Sequence, residues 1–184
     1  MTPFNQRKQD ILNKKDKSSI GKWDKKIKSL CNKINSKENY YTTSSCSGRI
    51  IIMIDQNKKA PKLFEFVSHD LVSFNKLKKE ISKIKKDSKF KQEPPILHIA
   101  CKTLEDAEKL LKKAQLSGWK RSGIISLKKN IIVEIISTEK IEFPLIKERK
   151  LLVGNSFLEI VLKKSNENLK KGWLKIEKLK KSIK

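Results

Sequence analysis

The 184-residue chain is expected to be an α+β protein, with a mixed or mainly antiparallel sheet covered by helices and no Rossmann topology. Three observations carry that expectation. Apolar residues recur at helical spacing in some segments and at strand spacing in others, in the order helices, three strands, helix, strand, helix, two or more strands, helix. No GxGxxG loop stands between a strand and a helix, which argues against a dinucleotide-binding domain. No stretch reads as a linker, so a single domain over 1–184 is expected, with two intertwined α/β halves, about 1–90 and 91–184, as the alternative division.

The elements follow in order. Phe4, Ile11 and Leu12 suggest a helix over about 4–15. Trp23, Ile27, Leu30 and Ile34 recur at i, i+4, i+7 and i+11 and mark one apolar face of a helix over about 22–35. Residues 40–44 and 49–54 read as strands flanking a hydroxyl-rich turn. A turn over 55–58 and a strand over 63–67 come next. Leu77, Ile81 and Ile84 define an amphipathic helix whose other faces are lysine. Residues 96–101 form a buried strand. Thr103, with Asp106 three residues later, caps a helix with Leu104, Ala107, Leu110, Leu111 and Ala114 on its core face, and Gly118 ends it. Residues 124–127 and 131–136 form a hairpin around Lys128-Lys129-Asn130. Phe143-Pro144 interrupts the following segment and confines any strand there to an edge. The tail over 155–182 is expected to be helical.

Forty-four basic residues against 20 acidic ones give a formal net charge of +24. That excess favours a polyanionic partner, nucleic acid before an anionic membrane surface. Nearly all the charge is lysine, and the abundance of Ile, Lys and Asn is also what an AT-rich genome would supply. The lysine-rich stretches over 76–91 and 163–184 read either as basic faces tracking a phosphate backbone, with Lys78, Lys79, Lys83, Lys86, Lys170 and Lys171 as RNA contacts, or as solvated helix faces. No stretch is long and apolar enough to span a bilayer, and the polar N-terminus lacks the apolar core of a secretory signal. Three cysteines without CxxC spacing and two distant histidines indicate neither a disulfide framework nor a metal pair. The expectation is a soluble, cytoplasmic protein without metal.

The segment richest in chemistry is Tyr40-Tyr41-Thr42-Thr43-Ser44-Ser45-Cys46-Ser47-Gly48-Arg49-Ile50. Its hydroxyls suit a polar ligand such as a phosphate, a carboxylate or a ribose; alternatively it is a serine-rich turn. This run resembles the signature of the tRNA wybutosine-synthesis methyltransferases, the archaeal and eukaryotic family that performs the N-methylation step of that pathway. Shorter matches fall in the expected order: Asp16-Lys17-Ser18, Gly21-Lys22-Trp23-Asp24, Ser68-His69, Glu93-Pro94-Pro95-Ile96-Leu97-His98, Ser122-Gly123-Ile124-Ile125-Ser126 and Val133-Glu134-Ile135. They extend over roughly 4–140.

The resemblance implies methyl transfer from S-adenosylmethionine to N4 of a 7-(3-amino-3-carboxypropyl)-4-demethylwyosine-type nucleoside, 3′ of the anticodon in phenylalanine tRNA. The alternative is a non-catalytic basic RNA-binding protein. Such a reaction needs alignment, shielding and removal of a proton from the attacking nitrogen. On this resemblance His69 and Asp24 are the catalytic candidates, while Ser44, Ser45, Cys46, Ser47, Arg49 and His98 are the cofactor- or substrate-binding ones. Each has a plainer reading. Asp16, Ser18 and Asp24 are ordinary helix caps, His69 and His98 ordinary structural histidines, and Cys46 a small buried residue. Tyr40 and Tyr41 read either as base-stacking rings or as ordinary β residues. Arg49 is one of four arginines among forty lysines, and its planar fork matches a carboxylate or phosphate.

Overall fold

The structure is a computed structural model that describes residues 2–13, 24–56, 63–128 and 130–183. The chain divides into two compact units built from discontinuous segments. The first takes in Met1–Ser47, Pro95–Thr138 and Gly172–Lys184, the second Gly48–Pro94 and Glu139–Lys171.

In the first unit, β1 (Tyr40–Cys46), β5 (Ile96–Cys101), β7 (Ile131–Ile136) and β6 (Gly123–Ser126) form an antiparallel sheet in the order β1-β5-β7-β6. Strand alternation sends Leu97, Ile99 and Cys101 of β5, with Val133 and Ile135 of β7, to one face. There they meet the buried stripes of α2 (Lys25–Asn35) and α4 (Leu104–Leu116): Ile27, Leu30, Cys31 and Ile34 on one, Ala107, Leu110 and Ala114 on the other. Trp119, fully buried, and Ile176, Leu179 and Ile183 close this core. On the other face, α1 (Pro3–Leu12) lays Phe4 against Tyr41, ring centroids 5.1 Å apart. The caps are as the sequence suggests. Thr103 Oγ1 accepts from the Asp106 N–H at 3.1 Å and donates to its carboxylate at 2.8 Å, and Gly118 turns the chain with φ +94°.

In the second unit, the antiparallel order is β3-β2-β4-β8-β9, from β2 (Arg49–Ile54), β3 (Phe64–Ser68), β4 (Ser88–Glu93), β8 (Ile141–Lys147) and β9 (Lys150–Leu151). Its helices are α3 (Phe74–Ile81) and the residues up to Lys171 of α5 (Asn155–Ser182). Phe90, Phe143 and Phe157 form a ring chain with centroids 5.1 and 5.3 Å apart. The Asn166 carboxamide brackets Val72, accepting from its N–H and donating to its carbonyl at 3.1 and 2.9 Å.

The α+β class and the absence of Rossmann topology are as expected from sequence, and the sheets are antiparallel throughout. Four local expectations change. The lysine-rich helix ends at Ile81, and Ser88–Glu93 is a strand, so 76–91 is not one basic helix. The strands around the hydroxyl run are not partners: β1 pairs with β5, while β2 pairs with β3 and β4. α2 begins at Lys25; Trp23, like Asp16 and Ser18, lies outside the described residues. Strand β8 runs through Pro144 and is not outermost. Its outer partner β9 pairs only with Ile146 and Lys147, so the proline's missing N–H falls where no outer strand needs it.

Candidate active site

The hydroxyl-rich segment is not a turn: β1 continues as strand to Cys46. A bulge makes it unusual. The register against β5 jumps from Thr42↔Ile99 to Ser44↔His98, so one extra residue is accommodated at Thr43. Asn35, at the end of α2, holds the irregularity by accepting the Thr42 N–H at 2.7 Å, and Thr43 Oγ1 donates to the His98 carbonyl at 3.2 Å. Without the extra residue Thr43 would stand opposite His98 and every later side chain would change face. With it, Ser44 and Cys46 share the face of His98, and Ser45 turns toward the core, beside Cys31.

Ser44 pairs in register with His98, His98 with Glu134, and Glu134 with Gly123. One row therefore crosses all four strands on one face. Ser44 Oγ lies 2.7 Å from His98 Nδ1, and His98 Nε2 lies 2.8 Å from Glu134 Oε2. A carboxylate accepts only, so Nε2 carries the proton, and in the neutral ring Nδ1 is left to accept the Ser44 hydroxyl. The histidine and glutamate side chains are 29% and 30% exposed, open enough for a ligand to reach. Next to Glu134 the row ends in a gap, since a Cβ added to Gly123 would meet nothing within 4 Å. The row is separate from the cleft of about 240 Å³ in the same unit, which is lined by Ile34, Tyr40, Leu110 and Ile183 among others.

Ser47 is fully buried and clamped at both backbone groups. Its N–H donates to Asp24 Oδ2 at 2.9 Å, and its carbonyl accepts from Trp173 Nε1 at 3.2 Å. Asp24 also caps α2, taking the Lys26 N–H at 3.2 Å. Lys26 Nζ sits 4.4 Å from the Trp173 ring centroid. The Ser47 hydroxyl oxygen is buried with no hydrogen-bond partner among the described residues. Burial raises the Cys31 thiol to about 11, the Ser45 hydroxyl offsetting part of the rise, and raises Cys101 to about 12. Both thiols are therefore inert, whereas Cys46 is half-buried. Tyr41 is only 1% exposed and packs inside, while the half-buried Tyr40 donates to the Asp106 carbonyl.

In the second unit, Arg49 Nε donates to Glu93 Oε2 at 2.6 Å across the β2–β4 pair, and the guanidinium stands 5.1 Å from the Phe64 ring centroid. His69, just after β3, approaches the Gly48 carbonyl through Nδ1 at 3.2 Å. A carbonyl only accepts, so Nδ1 is protonated and Nε2 is the basic nitrogen of the neutral ring. Gly48 has φ +91°, a backbone that a side chain would strain. Lys78, Lys79, Lys83, Lys86, Lys170 and Lys171 are all exposed, with Lys83 engaged by Glu80 at 2.8 Å.

The sequence profile described as Methyltransferase TYW3 matches residues 6–184. The chain belongs to this methyltransferase family. One relative, from Methanocaldococcus jannaschii, carries the name tRNA(Phe) 7-((3-amino-3-carboxypropyl)-4-demethylwyosine(37)-N(4))-methyltransferase; it is 39% identical over 176 residues, 90% of this chain and 88% of that protein. A zebrafish (Danio rerio) tRNA wybutosine-synthesizing protein 3 homolog is 35% identical, over 95% and 72% of the respective chains. A solved structure of the PH1069 protein from Pyrococcus horikoshii superposes with a TM-score of 0.87 at 34% identity, covering 98% of this chain and 96% of that one.

In this member of the family, four of the motif segments each lend one residue to the same row: Ser44, His98, Gly123 and Glu134. Glu134 is the functional candidate that sequence reasoning missed. The signal available was a single carboxylate inside the otherwise apolar strand Ile131–Ile136, but spacing alone does not say which histidine it would meet.

Proposed function

We propose that this protein is a tRNA methyltransferase that methylates N4 of a 7-(3-amino-3-carboxypropyl)-4-demethylwyosine-type nucleoside in phenylalanine tRNA, with S-adenosylmethionine as methyl donor. The observation that carries the reading is the row of Ser44, His98 and Glu134 on an open sheet face in a chain of the TYW3 family. When bound, S-adenosylmethionine supplies an electrophilic methyl on a sulfonium sulfur, which keeps the bonding pair as the methyl leaves.

The residues present fit such a ligand. In the first unit, the orphaned Ser47 hydroxyl needs a polar partner, and Ser44, the half-buried Cys46 and His98 share one sheet face as a polar set for cofactor or substrate, while Ser45 turns to the core. In the second unit, Glu93 fixes the guanidinium plane of Arg49 through Nε, leaving the two terminal nitrogens as a fork for a carboxylate or phosphate. Of the two groups that the sequence suggests for proton removal, Asp24 caps α2 and takes the Ser47 N–H, and His69 meets the Gly48 carbonyl through Nδ1. The exposed lysines of the second unit contact the tRNA backbone.

The test is single-turnover transfer of labelled methyl from S-adenosylmethionine to phenylalanine tRNA bearing the demethylated nucleoside. Transfer to that tRNA and none to fully modified tRNA is the expected result; tRNA binding without transfer would leave a non-catalytic binder. The logarithm of tRNA affinity should fall linearly with that of salt, by about 0.7 to 0.9 per lysine–phosphate contact.

A further inference from the structure

We infer that Ser44, His98 and Glu134 form a proton relay that removes the proton of the attacking nitrogen. The inference rests on the proposed methyl transfer. Its geometry is that of an activated hydroxyl: a serine donating to one imidazole nitrogen while a carboxylate holds the other. The ring is reversed relative to the usual serine triad, with Nδ1 toward the serine and Nε2 toward the carboxylate. Methyl transfer forms no acyl intermediate, so the hydroxyl serves as a proton conduit rather than as a nucleophile.

As the nitrogen's lone pair forms the new N–C bond, the nitrogen's proton moves to Ser44 Oγ. The proton of Ser44 moves in turn to His98 Nδ1, so the hydroxyl is regenerated. The positive charge released by the reaction comes to rest on the imidazolium, where Glu134 faces it through Nε2–H. His69 instead meets the neutral carbonyl of Gly48 through Nδ1. A hydrogen bond to a carboxylate stabilises a developing imidazolium better than one to a carbonyl. The bulge at Thr43 belongs to the same device, since it puts Ser44 rather than Thr43 opposite His98. The gap at Gly123 leaves the Glu134 end of the row uncovered by a side chain of its own strand pair.

Two measurements test the relay. The first needs neither donor nor tRNA: nitrogen-15 NMR of the free protein should show His98 protonated at Nε2 and bare at Nδ1. Glu134→Ala should mix the two tautomers, and Ser44→Ala should leave the Nε2–H form in place. A parent protein with His98 protonated at Nδ1 alone overturns the relay. The second is single-turnover transfer. Ser44→Ala, His98→Ala and Glu134→Gln should each slow it by about 10²-fold with tRNA affinity unchanged, and added imidazole should restore part of the His98→Ala rate. Should His98→Ala fail to fold, Ser44→Ala and Glu134→Gln carry the test. If the parent transfers methyl and all three variants stay within about three-fold of it, or if only His69→Asn is slow, the relay is overturned while the methyltransferase reading stands. A parent that transfers nothing overturns that reading, and with it the relay's role.

Discussion

The two units solve the same packing problem with opposite chemistry. In the first, the sheet face beneath α2 and α4 is mainly apolar, from Leu97 and Ile99 to Val133 and Ile135, with Thr42 and Ser45 of β1 as its polar exceptions, and the Ser44–His98–Glu134 row lies on the other face. In the second, the central strand β4 is polar at five of its six positions. Gln92, fully buried, donates to the Glu139 carbonyl and accepts from Asn168 Nδ2 at 2.8 Å. Lys91 pairs with Glu142 at 2.8 Å, Lys89 with Asp55 at 3.1 Å and Glu93 with Arg49 at 2.6 Å. The first unit largely separates apolar and polar groups by sheet face, which leaves its polar row exposed for a ligand. The second neutralises charge strand by strand, so much of its polarity is spent on the fold. Charged residues in a sequence therefore do not by themselves mark a site, since a partner on the next strand can hold them for the fold alone.

The largest expected difference lies in the apolar core. Ile99→Ala should destabilise the protein by about 3 kcal/mol, read as a lower urea midpoint, because a fully buried side chain leaves a cavity. A loss under about 1 kcal/mol would mean that this core relaxes freely. Arg49→Lys keeps the charge but not the fork, and should cost about 2 kcal/mol of transition-state stabilisation, roughly thirty-fold in kcat/KM, with the melting temperature little changed. Activity equal to the parent would reduce Arg49 to a structural partner of Glu93.

Gln92→Leu should cost about 2 kcal/mol by stranding the Asn168 donor, and adding Asn168→Leu should recover most of it. Failure of the double variant to recover would mean that the pair is needed for more than mutual satisfaction. Glu142 is held down at about 2, first by its hydrogen bond to Lys91 and then by Lys140, against an ordinary 4.5. Its folded value lies below its unfolded one, so its contribution is present above pH 4.5 and is lost as pH falls from there toward 2. Glu142→Gln should lower stability at neutral pH by about 1 kcal/mol and flatten the acid limb of a pH–stability curve. The smallest effect is a gain. Glu148 and Arg149 turn the β8–β9 hairpin at φ 49° and 63°, and Arg149→Gly should stabilise the protein by about 0.5 kcal/mol in thermal melts.

Periodicity by itself determined much of this protein. The apolar stripe Ile27, Leu30 and Ile34, the capped helix from Thr103, the strands 96–101 and 131–136 and the long terminal helix were all legible, because helical and strand spacing are local properties of the chain. The hydroxyl run was legible as a segment of unusual chemistry, and His98 as a residue on the face opposite Leu97 and Ile99. Strand β4 was not. Ser-Lys-Phe-Lys-Gln-Glu offers one large apolar residue, and what makes it a strand is the set of partners on β2 and β8, far away in sequence. The bulge at Thr43 was invisible for the same reason: a register shift is a relation between two strands, and no single strand records it. Tertiary structure alone therefore decided that Ser44 rather than Thr43 meets His98, and that Glu134 stands behind it. Residue types are written in the chain, but the face each one takes is set by the hydrogen-bond register of its neighbours.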